Sequence, residues 1–202
     1  MNFENGDIYH IYNQGNDRQQ IFFNRNNKLF FLSKIKEFIL PHADILAWCL
    51  MSNHFHLMVY VHRFEIVVSN TTTSPSTNSV KTRKLNDSIA ILLRSYTRAI
   101  NKQENRSGAL FRESTKAECI TKLNGITPSF YNSNHGTRIK THHPEDEYLQ
   151  MCFDYIHKNP ARAKLVCFDS EWEFSSFRDY CGLRNGKLIN RTKANELGLK
   201  IT

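Results

Sequence analysis

Hydrophobic and polar residues alternate along this chain in two rhythms. Asp7 to Asn13 carries Ile8, Tyr9, Ile11 and Tyr12, the content of a β-strand, and Gly15-Asn16-Asp17 follows with turn residues. From Asn26 to Ile39 the spacing lengthens. Leu29, Phe30, Phe31, Leu32, Ile35, Phe38 and Ile39 recur near helical intervals between Lys28, Lys34 and Lys36, and Pro41 closes the segment. Ala43–Met51, the pair Ser52-Asn53 and His54–Val61 then predict a β-hairpin. In its second strand a period of two puts His54, His56, Met58 and Tyr60 on one face. Phe55, Leu57, Val59 and Val61 take the other, which is wholly apolar and suited to packing on helices.

Residues 69–82 (SNTTTSPSTNSVKT) are too polar to bury a core and predict a flexible loop. A second amphipathic helix is predicted from about Leu85 to Lys102, with Leu85, Ile89, Leu92, Leu93, Tyr96 and Ile100 as its apolar stripe. Ser107-Gly108 breaks that pattern, and Glu113–Thr121 reads as a last short strand. Asn124–Pro144 is polar and turn-rich. A final helix follows from Glu145 to about Lys158, burying Tyr148, Leu149, Cys152, Phe153 and Ile156. Asn159 precedes Pro160, which disfavours helical geometry at that position. Trp172 to Phe177 reads as an aromatic packing segment.

The predicted order is β-α-β-β-α-β-α. That is the split βαβ arrangement of an α+β, ferredoxin-like fold, with helices on one face of an antiparallel sheet and the histidine side on the open face. The organisation expected is one domain over residues 1–184, with loops at 69–82 and 124–144, and a basic C-terminal tail at 185–202.

Charge adds a partner class. A net charge of +8 and a pI near 9.3 favour an anionic partner, nucleic acid being the usual one, although a solvated basic surface accounts for them equally well. The five cysteines are odd in number and lack any Cys-x-x-Cys pair, which excludes a disulfide framework and a zinc knuckle. The polar N-terminus carries no signal-peptide core, and the longest apolar run, Ile45 to Met51, is far too short to span a bilayer. A cytoplasmic, nucleoid-associated protein is the expectation, with no membrane partner.

Three sets of residues carry candidate chemistry. His54 and His56 stand on one strand face, close enough to chelate a cation, although an isolated His-x-His is more commonly explained by a polar strand face. Tyr155 and Asn159 lie one helical turn apart and share a face. Asn159 is the candidate third ligand, since two nitrogens and an amide oxygen with open positions suit magnesium or manganese. Tyr96 lies mid-stripe and reads as core, whereas Tyr155 lies at its stripe's edge and faces a groove. Arg94, Arg98, Lys102, Arg106 and Arg112 are candidate DNA-phosphate contacts, a solvated face being the alternative. His10 either flanks the site from the first strand or is a satisfied strand histidine, the second being the preferred reading.

Four segments together resemble the HUH superfamily. They are Tyr9-His10-Ile11-Tyr12-Asn13-Gln14-Gly15, Trp48 to Leu57 with Asn53-His54-Phe55-His56, Tyr96 to Phe111, and Asp154-Tyr155-Ile156-His157-Lys158-Asn159-Pro160-Ala161-Arg162-Ala163. The likeness is to its single-tyrosine transposases of the insertion-sequence-200 type, in particular the REP-associated tyrosine transposase branch. It covers about residues 7 to 180. The resemblance implies a single-stranded DNA transposase or endonuclease acting at hairpin or palindromic ends. It implies His54, His56 and Asn159 as ligands of Mg2+ or Mn2+ and Tyr155 as the nucleophile that forms a 5′-phosphotyrosine. Transposases of this type often work as homodimers, although this branch need not. Two rivals stand beside it: a domesticated binder of structured single-stranded DNA or RNA that does not cut, and a hydrolase in which the histidines activate water. Ser52 departs from the proline many relatives have in the turn, and the two polar loops are poorly matched.

Overall fold

The computed structural model describes residues 1–68, 81–122 and 145–202, and the backbone of two short strands at 131–133 and 136–138. The rest of the predicted loops, at 69–80 and within 123–144, lies outside the described residues.

Four strands form the main sheet: β1 (Ile8–Gln14), β2 (Ala43–Leu50), β3 (His54–Val61) and β6 (Lys116–Cys119). Their order is β2-β3-β1-β6, every neighbour antiparallel. Helix α1 (Arg25–Phe38) joins β1 to β2, and α2 (Leu85–Gln103) joins β3 to β6. The two crossovers interleave, and the fold is the expected α+β split βαβ. Between β3 and α2 a small hairpin, β4 (Glu65–Val67) with β5 (Thr82–Lys84), closes the base of the polar loop. After β6, β7 (Tyr131–Ser133) pairs with β8 (Gly136–Arg138), and α3 (Glu145–Arg162), α4 (Phe177–Tyr180) and α5 (Arg191–Glu196) complete the chain.

Each face of the sheet has its own core. Tyr9, Ile11, Phe55, Leu57, Val59 and Val61 pack against Phe31 and Ile35 of α1 and Ile89, Leu92, Tyr96 and Ile100 of α2. Helix α1 starts where Asn24 caps it: the Asn27 N–H donates to Asn24 Oδ1 at 3.0 Å, and the Asn24 N–H donates back to Asn27 Oδ1 at 3.2 Å. In β2 a bulge after Ile45 puts both Leu46 and Ala47 on the second face, and alternation resumes with Trp48.

That second face is not left bare. Leu149, Cys152, Phe153 and Ile156 of α3 settle on Ile8, Leu46, Ala47 and Met58. The open part is thereby narrowed to the end of the sheet that carries His54 and His56. The basic C-terminal stretch is docked at the other end of the sheet and on α3. Ile189 bridges to Ile45, Ala194 and Leu199 are buried, and Gln150 of α3 bonds both the N–H and the carbonyl of Lys200. The aromatic segment lies along the edge of β2. The Leu50 N–H donates to the Phe174 carbonyl at 2.9 Å, and Lys28 Nζ sits 4.7 Å from the ring centroids of Trp172 and Phe174.

Helix α3 runs past the expected end at Lys158 and through Pro160 to Arg162. Pro160 removes the N–H that the Ile156 carbonyl would accept, yet the next turns close. The Ala163 N–H donates to the Asn159 carbonyl at 3.0 Å, and the Leu165 N–H to the Pro160 carbonyl at 3.0 Å. Lys164, at φ 58°, supplies the left-handed residue that ends the helix, a place glycine usually takes. Asn159 is therefore helical, one turn beyond Tyr155.

Candidate active site

The sheet's register assembles the site from three strands. On the face shared with α3, Gln14 lies opposite His54, Tyr12 opposite His56 and His10 opposite Met58. From the other side of β1, Lys116 lies opposite Tyr12 and Glu118 opposite His10. Helix α3 brings in Tyr155, whose ring centroid is 5.3 Å from that of His56 and 6.0 Å from that of His10. The Tyr155 side chain is 38% exposed, whereas the Tyr96 hydroxyl is fully buried and donates to the Ile21 carbonyl at 2.7 Å.

Asn159 sits between the two histidines. Its Oδ1 is 3.3 Å from His54 Nε2 and its Nδ2 is 3.3 Å from His56 Nε2. The far sides of both rings are held as well. Asn53 Nδ2 donates to the Arg18 carbonyl at 3.3 Å, which turns Asn53 Oδ1 toward His54 Nδ1 at 2.6 Å. His10 Nε2 lies 2.9 Å from His56 Nδ1. Burial lowers the pKa of all three imidazoles, that of His10 to about 4, so they are neutral near pH 7.

These contacts test whether the residues fit a divalent cation. His54 must carry its one proton on Nδ1 to donate to Asn53. Its Nε2 then faces Asn159 Oδ1 with a lone pair on each side, two acceptors 3.3 Å apart with no hydrogen between them. A cation between them relieves that opposition. Neutral rings oriented by a bond at the far nitrogen are the usual supports of histidine ligands. The third donor is an amide rather than a carboxylate, and among the described residues no group of three or more His, Cys, Asp or Glu side chains is placed to hold a metal. The residues fit a cation as a two-nitrogen, one-oxygen set.

Around Tyr155 the electrostatics oppose one another. Burial raises its phenol above the ordinary value, while the Arg162 guanidinium, 5.6 Å from the ring centroid, and the Asn159 side chain draw it down. A cavity of about 420 Å³ opens beside the histidines toward β6. Arg112 lines it; the other predicted phosphate contacts do not. Arg94, Arg98 and Lys102 are exposed on α2, across the sheet, and Arg106 is bonded to Gln19 Oε1 at 2.8 Å. Asn53 and Arg162 were not singled out from the sequence. Asn53 had one visible signal, its position directly before His54.

A solved structure of a REP-associated tyrosine transposase bound to a REP hairpin is similar to this chain with a TM-score of 0.53 at 14% identity. The alignment covers 90% of this chain and 83% of that one, and the likeness is one of fold. No protein-family model matches the sequence, and no curated protein matches it. Among the described residues no helix is long and apolar enough to cross a membrane.

Proposed function

We propose that the protein is an HUH-type transposase or endonuclease that cuts and rejoins single-stranded DNA through Tyr155. The observation that carries this reading is the convergence of His54, His56 and Asn159 beside an exposed tyrosine on one face of one chain. Tyr155 Oη attacks phosphorus, the bond from phosphorus to the 3′-oxygen breaks, and a 5′-phosphotyrosine and a free 3′-hydroxyl result, the phenol proton balancing the new hydroxyl. The ester keeps the bond energy, so the reverse attack by a 3′-hydroxyl rejoins a strand. Arg162 favours the phenolate that bond formation demands. His54, His56 and Asn159 would hold Mg2+ or Mn2+, which would supply electrostatic stabilisation at the phosphate oxygens. Because one chain contains every part, a second copy is not needed to complete the site.

The fold likeness to a protein bound to a DNA hairpin supports a DNA partner with structured ends, and the net charge of +8 is compatible with it. The test is incubation with hairpin-bearing single-stranded DNA and Mn2+, read on a denaturing protein gel. Wild-type protein is expected to form a covalent adduct that Tyr155→Phe does not. Intact DNA binding with no adduct on any substrate returns the protein to the class of non-cleaving binders. Cleavage persisting in Tyr155→Phe favours water activated at the histidines.

A further inference from the structure

We propose that the cavity beside the histidine pair is a subsite for one nucleotide of the strand, adjoining the attacked phosphate, and that Gln14 reads its base. The proposal rests on the nuclease reading for the identity of the strand, and adds a protein side chain that selects the cut position.

Size comes first. A cavity of about 420 Å³ that includes the space beside His54, His56 and Tyr155 holds the attacked phosphate with its one nucleotide and not a stack of them. Its floor is set by the register, Gln14 opposite His54 and Tyr12 opposite His56, and His54, His56 and Tyr155 line it as well, so whatever lies there touches the proposed reaction centre. The chemistry of the lining then divides into three kinds. Tyr12 offers an aromatic ring that cannot swing. Its hydroxyl donates to Glu118 Oε1 at 2.7 Å, and its ring centroid lies 4.8 Å from that of His10 and 5.7 Å from that of His56. Such a ring is a stacking surface for an unpaired base. Arg112 and Lys116 are exposed at the rim, and no carboxylate pairs with either among the described residues, which leaves both cations for phosphate oxygens.

The third kind decides the assignment. Asn13 and Gln14 both line the cavity, but only one amide is unspent. Asn13 Nδ2 donates to the Arg112 carbonyl at 3.2 Å and to Thr115 Oγ1 at 2.9 Å, and its Oδ1 accepts from the Gln14 N–H at 2.7 Å. The Gln14 side-chain amide has no hydrogen-bond partner among the described residues, although it stands on a strand whose backbone is fully paired there. An amide presents one donor and one acceptor side by side, the pattern that engages a base edge with two bonds. Glu118 is occupied by Tyr12 and sits at the far end of the row, which keeps phosphate toward Arg112 and Lys116.

The experiment measures binding without cutting, in the full-length Tyr155→Phe protein with Mg2+. Hairpin-bearing oligonucleotides carry each of the four bases in turn at every position of the single-stranded flank, and affinity is read by fluorescence anisotropy. One position is expected to show a base preference of about five- to a hundredfold, the range of one bidentate contact. Adding Gln14→Leu flattens that preference and leaves the affinity for the disfavoured bases unchanged. Adding Gln14→Glu, which can only accept, moves the preference toward bases that donate through an amino group and away from thymine, which has none. Adding Lys116→Ala lowers affinity equally for all four bases and makes the salt dependence shallower by about one unit of slope. No base preference at any flank position, or a preference that survives Gln14→Leu, overturns the proposal. The two readings separate cleanly. Base preference without an adduct in the Tyr155 protein removes the nuclease and keeps the subsite, and an adduct with flat binding does the reverse.

Discussion

Replacing Tyr96 and Tyr155 separately by phenylalanine removes the same oxygen from two different settings. The Tyr96 hydroxyl is fully buried and donates to the Ile21 carbonyl at 2.7 Å. Its removal forfeits a bond worth about 1 kcal/mol net and strands a buried acceptor, for a total of about 2 kcal/mol. In a chain of this size that lowers the melting temperature by about 4–8 °C. Tyr155 is 38% exposed and its hydroxyl anchors no buried group, so its loss changes stability by less than about 0.5 kcal/mol. The chemistry runs the other way. Tyr155→Phe is expected to melt with the wild type and form no covalent DNA adduct; Tyr96→Phe is expected to melt early and, assayed well below its transition, to form adduct at the wild-type rate. Melting followed by circular dichroism, paired with the denaturing gel, reads both properties on one preparation. An adduct in Tyr155→Phe, or a folded Tyr96→Phe that binds DNA and forms none, refutes the assignment of roles.

Further outcomes follow from the supports of the site. Asn53→Ala frees His54 Nδ1 and is expected to weaken Mn2+ binding by about ten- to a hundredfold, measured by calorimetric titration; unchanged affinity would show that Asn53 does not orient the ring. Gly15→Ala sets a Cβ 2.1 Å from the Gln19 carbonyl oxygen, so the loop that bonds Ser52 and Asn53 must shift, and a loss of about 1–3 kcal/mol in urea unfolding is expected. His157 is buried, which lowers its pKa to about 3, and Lys158 adds to the effect. Since the unfolded chain takes up that proton at about pH 6.5, the stability is complete above this pH and drains away as the pH falls toward 3. Between pH 7.5 and pH 5 this one group accounts for about 2 kcal/mol, and His157→Gln is expected to shrink the pH-induced change in urea midpoint accordingly. Lys164→Gly relieves a left-handed lysine and is expected to raise stability by about 1 kcal/mol in the same assay.

Strand order, both crossover helices and the division of β3 into an apolar and a histidine face were legible because period alone carries them. Helix α3 was harder to delimit. Its end lacks the glycine that marks such a stop, Lys164 standing in its place, and Pro160 reads as a terminator although the helix absorbs it. The covering of the second face was not legible either, since nothing local tells Leu149 and Phe153 which side of a sheet to seek. Within the site, His54, His56, Tyr155 and Asn159 stood out as reactive types at suggestive spacings. A place there for His10 was the weaker of two readings, because its role depends on a neighbour 46 positions away that only β1–β3 pairing supplies. The α2 arginines form a clear basic face in the sequence, and only the three-dimensional arrangement shows that face turned away from Tyr155.

The 105 positions of chain between His54 and Asn159 have a consequence for how the protein comes into being. Sheet and helices of this topology are joined by contacts distant in sequence, and such contacts form late and slowly. Until α3 is in place, the strand that carries the histidine pair has no tyrosine beside it and no amide to close the proposed ligand set. Docking of α3 onto Leu46, Ala47 and Met58 is the same event that brings Tyr155 to His56. Under the proposed reading, any capacity to cut DNA would arrive only when α3 docks on the sheet.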